Sequence, residues 1–325
     1  MFSTIQDTVL QLIPGHRRRS ATGWISFNAP CCQYRGHKKD SRGRGGIIIN
    51  ADGTISYHCF NCGYKTGYRP GLHLSYKFRK LLSWLGADEN VIRRLVIDAI
   101  RVRELAPTAV EEQPKPTVSF KARSLPPDVK LIEQDPIALE YCQQRCIDLG
   151  KYPLLVSDRT EHMMNRRVII PFMWQDQLIG YTARAWDPSV KPKYYSQYEP
   201  HYVYNIDRQH ANSEFVVVCE GPFDAMSVDG VAILSNECSE EQADIIDSLR
   251  REVIVVPDRD RAGSKLINNA LEYHWSVSFP VWQETCKDIN EACVRYGRLF
   301  VLYSILQARE TSRLKIELKR KRLYN

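Results

Sequence analysis

The chain has 325 residues, 43% apolar and 26% charged, with 45 Lys and Arg against 38 Asp and Glu for a formal charge of +7. That is ordinary globular composition, long enough for about two to three domains. No run approaches the roughly 18 apolar residues of a membrane helix, the start MFSTIQDTVLQLIP lacks the plan of a secretory signal, and ten cysteines fall far short of a disulfide scaffold.

Charge is unevenly spread. Residues 1–86 carry +10, residues 308–325 carry +5, and the middle carries −8. Basic ends around an acidic centre suggest a polyanion partner and a cation site. Within the first basic segment, Trp24–Asn28 and Gly46–Asn50 are strand-like, Ala51-Asp52-Gly53 is a turn signal, and Thr54–His58 alternates as a returning strand. Residues 72–104 are helical in pattern, with Leu74, Phe78, Leu81, Leu82 and Leu85 on one stripe and a second helix starting near Asp88. Residues 105–127 hold five prolines and no helical period, which predicts a linker. Residues 128–150 return to helical spacing. Arg167–Met173 and Leu178–Arg184 flank a turn as two strands. From 214 to 300 short apolar runs such as Phe215–Cys219 and Val253–Pro257 alternate with helical stretches, which implies a small parallel α/β sheet. Residues 299–325 are helical and end in a basic tail.

Two constellations carry chemistry. The first is Cys31-Cys32 with His37, followed by the knuckle Cys59-Phe60-Asn61-Cys62-Gly63. Zn²⁺ takes four nitrogen or sulfur ligands in a tetrahedron, usually from two knuckles on neighbouring hairpins. Cys59 and Cys62 form the second knuckle. The first must come from Cys31, Cys32 and His37, and the residues leave open which of the adjacent cysteines faces the metal. His58 is expected to point away from Cys59, since alternate strand residues face opposite sides. Aromatics (Trp24, Phe27, Tyr34, Tyr57, Phe60, Tyr64) interleave with Arg35, Lys38, Lys39, Arg42, Arg44 and Lys65. Cations neutralise phosphates and aromatic faces stack on unpaired bases.

The second constellation is acidic. Glu220-Gly221-Pro222-Phe223-Asp224 follows one predicted strand, Asp258-Arg259-Asp260 follows another, and Lys287-Asp288 follows a third. Ligands of parallel sheets bind beyond the carboxyl ends of strands. Carboxylates meeting there would repel unless divalent cations neutralise them, and Mg²⁺ suits a few carboxylates plus a substrate phosphate.

The pattern Glu-Gly-x-x-Asp-Ala, then Asp-x-Asp, resembles the TOPRIM domain of primases, topoisomerases and related nucleases. The stretch NRRVIIPFMWQDQLIGYTARAWDPSVKPKYYSQ is similar to the core motif of bacterial replicative primases, with Arg167, Pro171, Gly180, Arg184, Pro192, Lys193 and Tyr194 at the matching positions. The cysteine ribbon resembles the zinc-binding domain of those enzymes. The whole order is most similar to the stand-alone primase subunits of T-even-type phages. The first knuckle departs from the usual Cys-x-x-His or Cys-x-x-Cys, which promotes His37 as a ligand.

The resemblance implies an α+β multi-domain chain: an N-terminal β zinc ribbon with helices (1–104), the linker (105–127), the basic part of a primase catalytic core (128–212), an α/β TOPRIM domain (213–298) and a helical basic tail (299–325). It implies a DNA primase, a DNA-directed RNA polymerase that joins ribonucleoside triphosphates into short RNA primers on single-stranded DNA. Glu220 would lie nearest the reacting phosphate as proton-transfer group or metal ligand. Asp258 and Asp260 would hold Mg²⁺ or Mn²⁺, with Asp288 and Asp224 in support. Arg167, Arg184, Lys193 and Lys287 would hold triphosphate, primer or template. Zinc would serve template recognition. A separate hexameric replicative helicase is the expected partner, because no GxxxxGK[ST] loop is present. For a phage source the setting would be the bacterial cytoplasm. The competing functions are a TOPRIM nuclease and a non-catalytic zinc-ribbon factor that binds DNA and recruits a helicase. The Arg167–Tyr194 motif opposes the first and the intact acidic set opposes the second.

Overall fold

The computed structural model describes residues 3–105, 118–157, 163–260, 263–283 and 286–324. The chain divides into two units, residues 1–114 with 247–251, and residues 115–246 with 252–325. The central part of the proline-rich stretch, 106–117, lies outside the described residues.

The first unit opens with a helix the sequence pattern did not predict, α1 (Ser3–Leu12). Five antiparallel strands follow in spatial order: β1 (Arg18–Arg19), β2 (Ile25–Phe27), β3 (Gly45–Ile49), β4 (Ile55–Cys59) and β5 (Lys65–Tyr68). In the β3–β4 hairpin Gly45 pairs with Cys59 and Ile47 with Tyr57. Burial alternates along β4, with Ile55, Tyr57 and Cys59 inward and Ser56 and His58 less so. Two helices close the unit. In α2 (Tyr76–Trp84), the Ser75 side chain caps the start by accepting from Phe78 N. In α3 (Glu89–Leu105), Asp88 does so for Val91 N. A capping side chain satisfies N–H groups that the first turn leaves without partners. Ile5, Phe27, Ile47, Phe78, Leu81 and Leu95 share the core, so α1, sheet and helices bury one apolar cluster.

The second unit holds two sheets. Residues 128–150, expected to be helical, begin instead with β6 (Val129–Leu131), and the helix is confined to α4 (Pro136–Gln144). Asp135 and Pro136 set that start, the first as cap and the second as a residue pre-shaped for a first turn. β7 (Leu155–Ser157), β8 (Arg167–Trp174), β9 (Gln177–Ala185) and β10 (Tyr194–Tyr198) complete an antiparallel sheet ordered β10-β9-β8-β7-β6. The Lys191–Pro192 peptide before β10 is cis.

The other sheet arises from β11 (Phe215–Cys219), α5 (Pro222–Val228), β12 (Val231–Ala232), α6 (Glu240–Asp247), β13 (Glu252–Val255), α7 (Gly263–Glu272) and β14 (Ser276–Ser278). Then come α8 (Ile289–Tyr296), α9 (Arg298–Gln307), β15 (Arg309–Glu310) and α10 (Arg313–Tyr324). Its order is β12-β11-β13-β14-β15. β11 pairs in parallel with β12 on one side and β13 on the other, β13 and β14 are parallel, and β15 is antiparallel. This is the small parallel sheet the strand–helix alternation predicts. The chain leaves β11 for one neighbour and later returns to the other side, so strand order reverses between β11 and β13. Their carboxyl ends border the crevice where such sheets bind ligands.

Candidate active site and metal centre

In the second unit, Glu220 directly follows β11, and Asp258 and Asp260 follow β13. The Asp258 N–H donates to Glu220 Oε1 at 3.4 Å, which ties the two strand ends. Asp260 Oδ1 accepts from Gly263 N at 3.0 Å and so fastens the loop to α7. A Cβ on Gly263 would stand 2.2 Å from the Asp258 carbonyl oxygen, so only glycine lets the helix start this close to the acidic loop. Arg259, between the two acids, turns away. Its guanidinium donates to the carbonyls of Pro280, Trp282 and Gln283.

Asp224 is buried in α5, where its Oδ1 accepts from Asn290 N at 2.9 Å. Asp288 caps α8 by accepting from Glu291 N at 2.8 Å. Burial raises the carboxyl groups of Glu220, Asp224, Asp258 and Asp288, and neighbouring acidic charges add to it. Glu220 rises to about 7, through burial and then the charges of Asp260 and Asp224, against the donated Asp258 N–H. Asp258 rises to about 8, through burial and then Glu220, Asp288 and Asp260. Asp224 is pushed well above the carboxylate range by burial, then Asp288 and Asp258. Asp288 is raised by burial against the Glu291 N–H. A site this costly to ionise favours a neutralising cation.

Cations reach the same edge from the antiparallel sheet. Lys193 lies exposed at the foot of β10. Partial desolvation by the groups around it lowers its pKa, Arg184 and Arg145 add to the fall, and Asp288 and Asp258 oppose it. Arg184 lies over the rings of Tyr194 and Phe223, 4.8 and 5.7 Å from their centroids, and donates to the Tyr194 hydroxyl. Lys287 is exposed beside Asp288.

Arg167 departs from expectation. Its side chain is 1% exposed and donates to the carbonyls of Ala183, Pro192 and Lys193. Three backbone acceptors converge there because β9 and the turn into β10 fold back over β8. Both terminal nitrogens of the guanidinium are so engaged, and the residue organises that turn. Arg145 was not singled out from sequence. It donates to Asn290 Oδ1 at 2.6 Å and lies over the rings of Tyr141 and Phe223, while Asn290 returns a bond to the Arg145 carbonyl. The signal was an unremarkable arginine at a helix end.

In the first unit, Cys31, Cys32, Cys59 and Cys62 converge with all four sulfurs within 4.8 Å of one another. Among the described residues no other set of His, Cys, Asp or Glu side chains brings three ligand atoms that close. The acidic residues of the second unit form no such close group. His37 is not in the cysteine group and is exposed. The reason is local. Cys31 and Cys32 enter a single helical turn, Cys32–Arg35, closed by Gly36 in the left-handed region, and both thiols turn inward. His37 falls beyond that turn. His58 sits on the outer face of β4, as its register predicts, 4.2 Å from the Phe60 ring.

Each of three sulfurs has a hydrogen-bond partner besides the other sulfurs. Cys31 is 3.4 Å from the Tyr57 hydroxyl, Asn61 Nδ2 donates to Cys32 at 3.3 Å, and Cys62 N donates to Cys59 at 3.5 Å. Burial pushes Cys31 far up and Cys32 up to about 11, so a cation must displace their protons. Four sulfurs in this arrangement suit tetrahedral Zn²⁺.

Residues 217–293 match the family model described as Toprim-like. No curated protein matches the chain. Among solved structures, the zinc-binding and RNA polymerase domains of Aquifex aeolicus primase are similar at 16% identity, covering 94% of this chain and 83% of that one, with a TM-score of 0.47. The Escherichia coli primase catalytic core is similar at 17% identity over 55% of this chain and 62% of that one, TM-score 0.38. A chain from the bacteriophage T7 complex of lagging-strand DNA polymerase with primase domains is similar at 12% identity over 86% and 96%, TM-score 0.32.

Proposed function

We propose that this chain is a DNA primase that joins ribonucleoside triphosphates into short RNA primers on single-stranded DNA. The observation that carries the reading is the meeting of Glu220, Asp258 and Asp260 at the reversal between β11 and β13, within the Toprim-like segment, with Lys193 and Arg184 at the same edge. Phosphoryl transfer asks for positioned phosphates, neutralised charge and a proton acceptor. Lys193, Arg184 and Lys287 would hold the triphosphate by charge, Arg184 in an orientation set by the Tyr194 and Phe223 rings. Glu220, retaining its proton up to about pH 7, is suited to accept the proton of an attacking hydroxyl near neutrality. Asp258 and Asp260, with Asp288 and Asp224, would hold Mg²⁺ or Mn²⁺, which when bound would polarise the phosphate and stabilise the leaving oxygen. Arg167 shapes the turn that presents Lys193 and makes no phosphate contact.

Zinc held by Cys31, Cys32, Cys59 and Cys62 would fix the ribbon. Phe60 and Tyr34, 71% and 57% exposed, belong to the basic stretch that holds Arg35, Lys38, Lys39 and Lys65, and Phe60 and the face of Tyr34 not stacked on Trp84 would suit unpaired template bases. A separate replicative helicase would supply the unwound strand.

The test is incubation of the purified chain with a single-stranded template, labelled ribonucleotides and Mg²⁺, with and without helicase. Template-dependent oligoribonucleotides that disappear in Asp258→Ala are expected. DNA cleavage without synthesis would replace the reading with a nuclease, and DNA binding without either would replace it with a recruitment factor.

A further inference from the structure

The hydrogen bonds around Cys32 form a chain that starts at a buried carboxylate. Asp40 is 1% exposed and lies eight residues beyond Cys32 in sequence. It accepts from Ala29 N at 2.9 Å, Arg42 N at 3.0 Å, Arg44 N at 2.8 Å and Arg44 Nε at 2.9 Å. Burial would raise its pKa, but these donors hold it at about 2, so it stays charged across all physiological conditions. The last bond aims the Arg44 guanidinium, whose Nη1 donates to Asn61 Oδ1 at 2.6 Å. Arginine can only donate, so the Asn61 oxygen must face it, and the amide nitrogen is turned to the Cys32 sulfur at 3.3 Å. The Arg44 carbonyl also accepts from Phe60 N at 2.9 Å, which anchors the backbone beside Asn61.

We propose that Asp40, Arg44 and Asn61 are a positioning relay for the metal centre, setting how tightly zinc is retained by presenting one N–H to the Cys32 thiolate. An amide N–H at a thiolate favours the charged, ligating form and locks its rotamer. Removing such outer partners typically costs about 10–100-fold in metal affinity. Cys59 takes its N–H from the backbone of its own knuckle and Cys31 takes its contact from Tyr57, so neither depends on Arg44. The relay therefore acts on one ligand of four. It rests on the assignment of zinc to these cysteines and is independent of any catalytic activity.

The experiment measures zinc content of the full-length chain by atomic emission, then the rate of zinc transfer to a chromogenic chelator. Asn61→Ala should release zinc about tenfold faster or more. Asn61→Asp, isosteric and still able to pair with Arg44, should be at least as fast because it turns a carboxylate oxygen toward the sulfur. Arg44→Met should be faster than wild type, and the double variant Arg44→Met, Asn61→Ala should match Asn61→Ala within about a factor of two, because Arg44 acts through Asn61. Arg42→Met, which removes a nearby exposed cation outside the relay, should release zinc at the wild-type rate. In cobalt-substituted protein, the sulfur-to-cobalt absorption band should shift in Asn61→Ala and Asn61→Asp and stay in place in Arg42→Met. Wild-type release from both Asn61 variants, or additive effects in the double variant, would overturn the relay. Absence of zinc from the wild-type chain would instead overturn the metal assignment itself.

Discussion

Replacing Glu220 by Gln should stabilise the magnesium-free protein at alkaline pH while abolishing primer synthesis. Burial first, and then Asp260 and Asp224, raise the Glu220 carboxyl from 4.5 to about 7. A carboxyl raised on folding keeps a proton that the unfolded chain has lost, so its contribution to stability is full below about pH 4.5 and is lost as pH rises through about 7. At 1.36 kcal/mol per pH unit, the loss by pH 8.5 is about 3 kcal/mol. Gln has the same shape, can still accept from Asp258 N, and has no charge to lose. The variant should therefore equal the wild type near pH 4.5 and exceed it by about 3 kcal/mol at pH 8.5. Urea unfolding of the full chain, followed through Trp174 and Trp275, both buried in the second unit, reads the difference. Saturating Mg²⁺ should narrow or reverse it, because a bound cation stabilises the wild-type site more than the neutral one. A gain of equal size at pH 4.5 and 8.5, or none at either, would refute the idea that this edge stores charge repulsion for a cation.

Three further outcomes follow from the geometry. Arg167→Met should destabilise the second unit by about 3 kcal/mol, since three buried carbonyls lose a charged donor, and should leave the KM for ribonucleotides unchanged for the fraction that folds. Denaturation and steady-state kinetics separate the two effects, and an altered KM with unchanged stability would return Arg167 to the phosphate site. His37→Ala should keep about one zinc per chain by atomic emission, whereas Cys32→Ser should reduce zinc content; four-coordinate structural sites need every ligand. Gly263→Ala should cut primer synthesis by at least about tenfold with a smaller change in stability, because the new Cβ would displace the loop bearing Asp258 and misplacing a reacting group is costly. Wild-type turnover in that variant would show that the loop yields without moving the carboxylate.

Much of the acidic edge could be read in the residues themselves. Phe215–Cys219 is an apolar β-branched run followed at once by Glu220, and the strand has those same bounds. The knuckle Cys59–Cys62 follows an alternating strand, and the alternation rightly turned His58 outward. What stayed hidden depends on distant backbone. Adjacent Cys31 and Cys32 could both turn inward only because a tight helical turn brackets them, and no spacing rule announces that turn. Arg167 in a strand reads as a surface cation, and nothing local reveals that carbonyls 16 to 26 residues away converge on it. Asp40 lies in a polar loop beside Lys38 and Lys39, yet four donors converge on it. The strand at 129–131 was masked by apolar residues that also fit a helix, because short apolar runs do not distinguish the two.

The inward-turned arginines change what the chain's positive charge can do in solution. Arg167 and Arg259 are engaged with backbone carbonyls, Arg44 with Asp40, and both Lys151 and Arg298 with Asp229. None of these displaces counterions from a nucleic acid while it is so engaged. The salt dependence of single-strand binding reports phosphates actually neutralised, at a logarithmic slope of about −0.7 for each. That slope should follow the outward cations of the ribbon and of the acidic edge, and fall well below what the 45 basic residues suggest.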